Sequence, residues 1–75
     1  MVNTKENSKV NVEELKVFLT RRKMSMNEYA KRLGITRQAL ANKIEGKTDF
    51  KLSEAKATRK ILDLTVEDWI LIFFN

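Results

Sequence analysis

Apolar residues recur along this chain at helical rather than strand spacing. Val12, Leu15, Phe18 and Leu19 form a stripe at i, i+3, i+6 and i+7, and Asn11 stands three residues ahead of Glu14. That is the spacing of a capping box, in which a side-chain oxygen and a carboxylate satisfy the free backbone N–H groups at a helix start. The pattern predicts a first helix running to about Arg22. Ser25 and Glu28 repeat the capping spacing, so a second helix opens at Met26, turns Met26, Tyr29, Ala30 and Leu33 inward, and stops at Gly34. Ile35 bridges a very short connection. Thr36 can cap a third helix, with Leu40 and Ile44 as its inward pair and Gly46 as its stop.

The segment GKTDFK is the longest irregular connection, and after it Leu52, Ala55, Thr58, Arg59 and Leu62 mark a fourth helix with a mixed face. Thr65 and Asp68 then open a last helix, whose expected apolar side is Val66, Trp69, Ile70, Phe73 and Phe74. The expected fold class is all-α, five short helices with no strand. No internal repeat or low-complexity segment is apparent beyond a polar N-terminal tail, residues 1–10, expected to be disordered ahead of a single domain over residues 11–75.

Length bears on how much core to expect. A chain of 75 residues makes one domain, and a domain of this size buries only about 60–65 % of its unfolded surface, so every apolar residue at helical spacing is needed. The sequence has no Cys and no His, which removes disulfide frameworks, zinc fingers, thiol nucleophiles and His-based triads, and no cofactor or metal is implied. The first residues contain no signal-peptide-like apolar run, and a cytoplasmic location is the expectation. The longest apolar stretch, WILIFF, falls far short of the roughly 20 residues that cross a bilayer. It is core or interface.

Charge is unevenly spread. The net charge is +5, but residues 16–60 hold thirteen Lys and Arg against four acids, while residues 61–75 hold three acids and no base. A concentrated basic segment suits a polyanionic partner such as nucleic acid, because neutralising phosphates releases counterions. The third helix sharpens this. On a wheel of about 100° per residue, Leu40 and Ile44 define the buried direction, and Gln38, Asn42 and Glu45 point nearly opposite, with Ala41 to one side and Thr36 and Arg37 at the N-terminus. Gln and Asn amides can pair in bidentate fashion with adenine, Arg with guanine, and Ala can meet a thymine methyl. A merely solvated helix also presents Gln, Asn and Lys, so the face alone leaves both readings open.

The segment MNEYAKRLGITRQALANKIEGKTDFKLSEAKATRKILDLTVEDW resembles the Cro and lambda-type phage repressor family of helix-turn-helix proteins, the XRE family. Ala30 sits at the family's small helix-crossing position, Gly34 at its turn glycine, and Ile35 and Leu40 at its apolar anchors, and the likeness covers residues 12–74. The resemblance implies a lambda-repressor-like domain with its helix-turn-helix at the second and third helices, bound as a dimer to two half-sites of double-stranded DNA. Its base-reading positions fall on Thr36, Arg37, Gln38, Ala41 and Asn42, and its phosphate contacts on Asn27, Lys43, Lys47 and Thr48. Many members carry an apolar residue where this chain has Lys43, and here it moves to Ile44, which leaves the end of the recognition helix loosely placed.

The last helix offers a candidate homodimer interface in Trp69, Ile70, Leu71, Ile72, Phe73 and Phe74, against the alternative that all six complete the monomer core. The functional expectation is a small sequence-specific transcriptional regulator, a Cro-like phage or mobile-element repressor. The alternatives are an antitoxin-type helix-turn-helix protein that also binds a toxin, and a helical protein-interaction module without DNA binding. An enzyme is the weakest reading, because Glu13, Glu14 and Asp63 lie on separate helix ends, where capping and solvation account for them.

Overall fold

A computed structural model describes residues 10–74, and among them there are five α-helices and no strand. They are α1 (Val12–Arg21), α2 (Met26–Leu33), α3 (Arg37–Ile44), α4 (Leu52–Ile61) and α5 (Val66–Phe73). The all-α expectation holds, and four of the five helix starts follow the sequence signal. Asn11 Oδ1 accepts from the Glu14 N–H at 3.2 Å, Ser25 Oγ from Glu28 at 3.1 Å, Thr36 Oγ1 from Ala39 at 3.0 Å and Thr65 Oγ1 from Asp68 at 3.1 Å. Each bond satisfies one of the donors that a helix N-terminus leaves free. At α4 the lysine in the cap position has no acceptor to offer, and the reverse half of the box operates alone: Glu54 Oε1 accepts from the Lys51 N–H at 2.9 Å.

The core draws on every helix. Leu15, Phe18 and Leu19 of α1, Tyr29 and Ala30 of α2, Leu40 of α3, Ala55 of α4, and Ile72 and Phe73 of α5 are buried together with Leu62 and Leu64. Burying one large aliphatic or aromatic side chain contributes about 1.5–3 kcal/mol, so a core of this size leaves little to spare. α2 packs on α3 and α4, and α1 packs on α5. The last pairing is sealed by the Asn11 N–H, which donates to the Ile72 carbonyl at 2.7 Å.

Three expectations are refined. Val10, assigned to the tail, packs against the core, and the rest of the predicted tail lies outside the described residues. The mixed face that marked α4 divides: Leu52 is 57 % exposed, while Ala55 and Thr58 face inward. In α5 the inward residues are Ile72 and Phe73, with Trp69 partly buried, and Val66 and Ile70 are exposed. After Asp68 the helix is wholly apolar, which gives periodicity little to orient it.

The backbone also contains a repeat that the sequence hides. α1 and α4 each have ten residues, α2 and α5 each have eight, and α4 begins forty positions after α1. The turns between them match bond for bond. In the first, the N–H groups of Arg22, Lys23 and Met24 donate to the carbonyls of Phe18, Thr20 and Leu19; in the second, those of Leu62, Asp63 and Leu64 donate to Thr58, Lys60 and Arg59. Lys23 and Asp63 take the same left-handed conformation, with φ of 54° and 53°. Ser25 and Thr65 are equivalent caps, yet between the two hairpins only Glu14 and Glu54, and Lys16 and Lys56, are identical pairs. Arg22 joins the two turns: its Nε donates to the Leu62 carbonyl at 2.7 Å and its Nη2 to the Asp63 carbonyl at 3.2 Å, satisfying orphan carbonyls at the end of α4.

Candidate nucleic-acid interface

α3 has no counterpart in the repeat; it is inserted between the two hairpins. The turn that launches it depends on Gly34, whose φ of 79° requires the left-handed region that a side chain resists. An added Cβ there would meet nothing within 4 Å, so conformation rather than space demands the glycine. The Gly34 N–H donates to the Lys31 carbonyl at 3.1 Å and the Ile35 N–H to the Ala30 carbonyl at 3.0 Å, which closes α2. Ala30 is 2 % exposed where α2 and α3 meet, and Leu40, fully buried, anchors α3 from beneath.

The opposite side of α3 faces outward. Thr36, Arg37 and Gln38 are exposed, and Ala41 and Asn42 are half-buried. Arg37 Nη1 donates to Asn27 Oδ1 at 2.8 Å, which links the first turns of α2 and α3. Gln38 Nε2 donates to Asn42 Oδ1 at 3.2 Å, so the two amides form an i, i+4 pair. That bond leaves the Gln38 Oε1 acceptor and the Asn42 Nδ2 donors unused. None of Thr36, Arg37, Gln38, Ala41 or Asn42 lines the surface concavity beside Phe50 and Phe73 or the one beside Trp69. The face is an outward helical ridge rather than a concavity that would enclose a small molecule.

The expected phosphate contacts separate into two groups. Lys47 and Thr48 are exposed on the Glu45–Lys51 connection, and Asn27 is exposed near the start of α2, although its oxygen is occupied by Arg37. Lys47 is 3.2 Å from Glu45, but both side chains are more than half exposed, where such a pair holds loosely. Lys43 is placed differently, paired within the fold. Its ammonium lies 3.1 Å from Glu54 Oε1 and 3.0 Å from the Asp49 carbonyl, with the side chain only 9 % exposed. Its charge is already met by partners of the fold, unlike that of Lys47.

The candidate dimer surface also divides. Ile72 is fully buried and Phe73 is 8 % exposed, so both belong to the core. Trp69 is partly buried: its Nε1 donates to the Ala55 carbonyl at 2.8 Å and the Arg59 guanidinium lies over its ring. Ile70, Leu71 and Phe74 remain exposed, joined by Val66, which the sequence placed inward.

Two titratable groups are perturbed. Burial pushes the Tyr29 hydroxyl up from 10.0 to about 12, against the opposing bond with Thr58 and with the Glu54 charge adding to the rise. The hydrogen bond from Arg32, at 2.8 Å, holds the Glu28 carboxyl below its ordinary value on the open surface of α2. Lys16, Lys23, Lys31, Lys51, Lys56 and Lys60 make no ion pair among the described residues. Sequence reasoning missed Glu54 and Arg22 as organising residues. Glu54 stood three positions after the α4 cap, a detectable signal, whereas the partners of Arg22 are carbonyls forty positions away and leave no trace in sequence. No helix among the described residues is long and apolar enough to cross a membrane.

Compared with known proteins, the chain matches no family model, no curated protein and no solved structure.

Proposed function

We propose that this protein is a cytoplasmic, sequence-specific double-stranded DNA-binding regulator, a Cro-like repressor of the XRE helix-turn-helix type, that reads an operator with α3 in the major groove. The observation that carries the reading is the ridge on α3: a helix anchored by a buried Leu40, with Arg37, Gln38 and Asn42 outward and two amides holding unused hydrogen-bonding atoms. Arg37, Gln38, Ala41 and Asn42 read bases, with Thr36 at the helix start, while Lys47 and Thr48 meet phosphates. The basic middle of the chain supports this, since thirteen of its cations lie in residues 16–60. No enzymatic role is proposed.

A single eight-residue helix reads only a few base pairs, so the protein acts as a homodimer on a palindromic site. Val66, Ile70, Leu71 and Phe74 are the surface for that second copy; they lie in the acidic end of the chain, where two basic molecules repel least. The same apolar strip also favours an alternative, an antitoxin-type protein or interaction module in which it binds another protein.

Duplex titrations test the main reading. Gln38→Ala should cost about 1–3 kcal/mol of specific binding and relax base preference at one position, whereas Lys47→Ala should weaken all duplexes alike and flatten the salt slope. Unchanged site preference and affinity in Gln38→Ala would show that α3 is not the reading helix. For the dimer, sedimentation over a concentration series is decisive: a monomer persisting well above micromolar concentration, alone and on DNA, contradicts it.

A further inference from the structure

Lys43 and Glu54 form the most buried ion pair among the described residues, with side chains 9 % and 10 % exposed. Charges removed from water this far persist only where several partners hold them. Here the partners converge on one loop. The Lys43 ammonium, on the last turn of α3, binds both Glu54 Oε1 and the Asp49 carbonyl, and the same Glu54 oxygen accepts the Lys51 N–H at the start of α4. The Glu45–Lys51 connection is thereby fastened at its middle and its end. Its beginning is fastened to the reading helix: the N–H groups of Lys47 and Thr48 both donate to the Asn42 carbonyl, at 2.9 and 3.3 Å. Asn42 thus presents its side chain on the α3 ridge and holds the loop through its backbone.

We propose that Lys43 and Glu54 act as a buried ionic clasp that sets the loop in register with α3, so that Lys47 and Thr48 meet the DNA backbone at a fixed distance from the base-reading side chains. This rests on the DNA-binding reading above. Glu54 is a positioning residue: it touches no DNA, and a carboxylate that would repel phosphate on the surface instead holds the lysine that orders the phosphate-binding loop. The chain's departure from an apolar residue at Lys43 is then a functional feature of the loop rather than a blemish in the core.

The test uses the full-length protein and three variants, K43M, the double variant K43M/E54Q, and K43R. Removing both charges avoids stranding one of them in the interior, so the double variant keeps its fold even where K43M loses stability. Amide hydrogen exchange without DNA should show faster exchange at Lys47 and Thr48 in the double variant, with Leu15 and Leu40 unchanged. On duplexes selected by the wild-type protein, the double variant should bind about tenfold more weakly at moderate salt, with a salt slope shallower by about one or two and the same preferred bases. K43R, which keeps the charge and the donors, should recover most of the loss. Exchange at Lys47 and Thr48 that matches the wild type, or an unchanged salt slope, overturns the clasp while leaving DNA binding standing. A wild-type protein that binds no duplex overturns the DNA-binding reading and the clasp's role together.

Discussion

The two helical hairpins, α1–α2 and α4–α5, share lengths, turn bonds and capping positions, but they differ in which of the equivalent positions are buried and in the chemistry left exposed. Ala30, Lys31 and Arg32 of α2 correspond to Ile70, Leu71 and Ile72 of α5. In the first hairpin the small Ala30 is buried and the charged pair faces water; in the second, Ile72 enters the core, while Ile70 and Leu71 are exposed. The difference teaches that backbone scaffolding and surface role are set independently. One hairpin supports the α3 ridge, and its twin is left with an apolar face for a second copy under the function proposed above.

Equivalent positions make a set of paired experiments, in which one hairpin serves as control for the other. Glu54→Ala strands Lys43 in a buried site and should cost about 3–5 kcal/mol in chemical denaturation, whereas Glu14→Ala, at the matching position of α1 with no ion pair among the described residues, should cost less than about 1 kcal/mol. Equal costs would mean that the buried pair has no structural role. Ile72→Ala leaves a cavity beneath α1 and should cost about 2–5 kcal/mol, while Arg32→Ala on the open face of α2 should stay within about 0.5 kcal/mol.

The aromatic pair at the next matching position separates hydroxyl from indole. Tyr29 and Trp69 both reach α4, Tyr29 through Thr58 Oγ1 at 2.7 Å and Trp69 through the Ala55 carbonyl. Thr58 Oγ1 donates its own hydrogen to the Glu54 carbonyl, so the Tyr29 hydroxyl is the donor between them. Tyr29→Phe should therefore cost about 1 kcal/mol at neutral pH. The pH dependence follows from a hydroxyl raised from 10.0 to about 12 in the folded state. The unfolded chain releases this proton first, so stability is intact below pH 10 and falls as pH rises through 12; Tyr29→Phe should lose that part of the alkaline decline. An identical alkaline profile in the variant would place the ionisation elsewhere.

The smallest expected effect lies in the turns. Lys23 and Asp63 share a left-handed conformation, which costs a lysine more than an aspartate whose short side chain bonds locally. Lys23→Gly should raise stability by about 0.5–1 kcal/mol and Asp63→Gly by less, read as shifts in thermal midpoint. A loss in both would show that these side chains hold the turns.

Much of this architecture was legible because helix starts are local. Asn11, Ser25, Thr36 and Thr65 all cap through their own neighbours three residues on, and Gly34 marks its own conformation. What escaped was set by distant partners. Arg22 reads as a solvated helix end until the end of α4 lies beside it, and Lys43 reads as a surface cation until Glu54 closes on it. The orientation of α5 was equally hidden, because Val66 and Ile70 are as apolar as Ile72 and only the α1 surface decides which of them is covered. Gln38 is exposed as the helical wheel requires, opposite the direction set by Leu40 and Ile44, whereas Arg37 is exposed because it is the first residue of α3.

The central claim is that α3 reads a two-fold DNA site, and selection of bound duplexes from a random pool tests it most directly. The expected outcome is one enriched palindromic motif with half-sites centred about 10 base pairs apart, which loses information at a single symmetric pair of positions in Gln38→Ala. A wild-type pool with no enriched motif, or a motif that Gln38→Ala leaves intact, would contradict it.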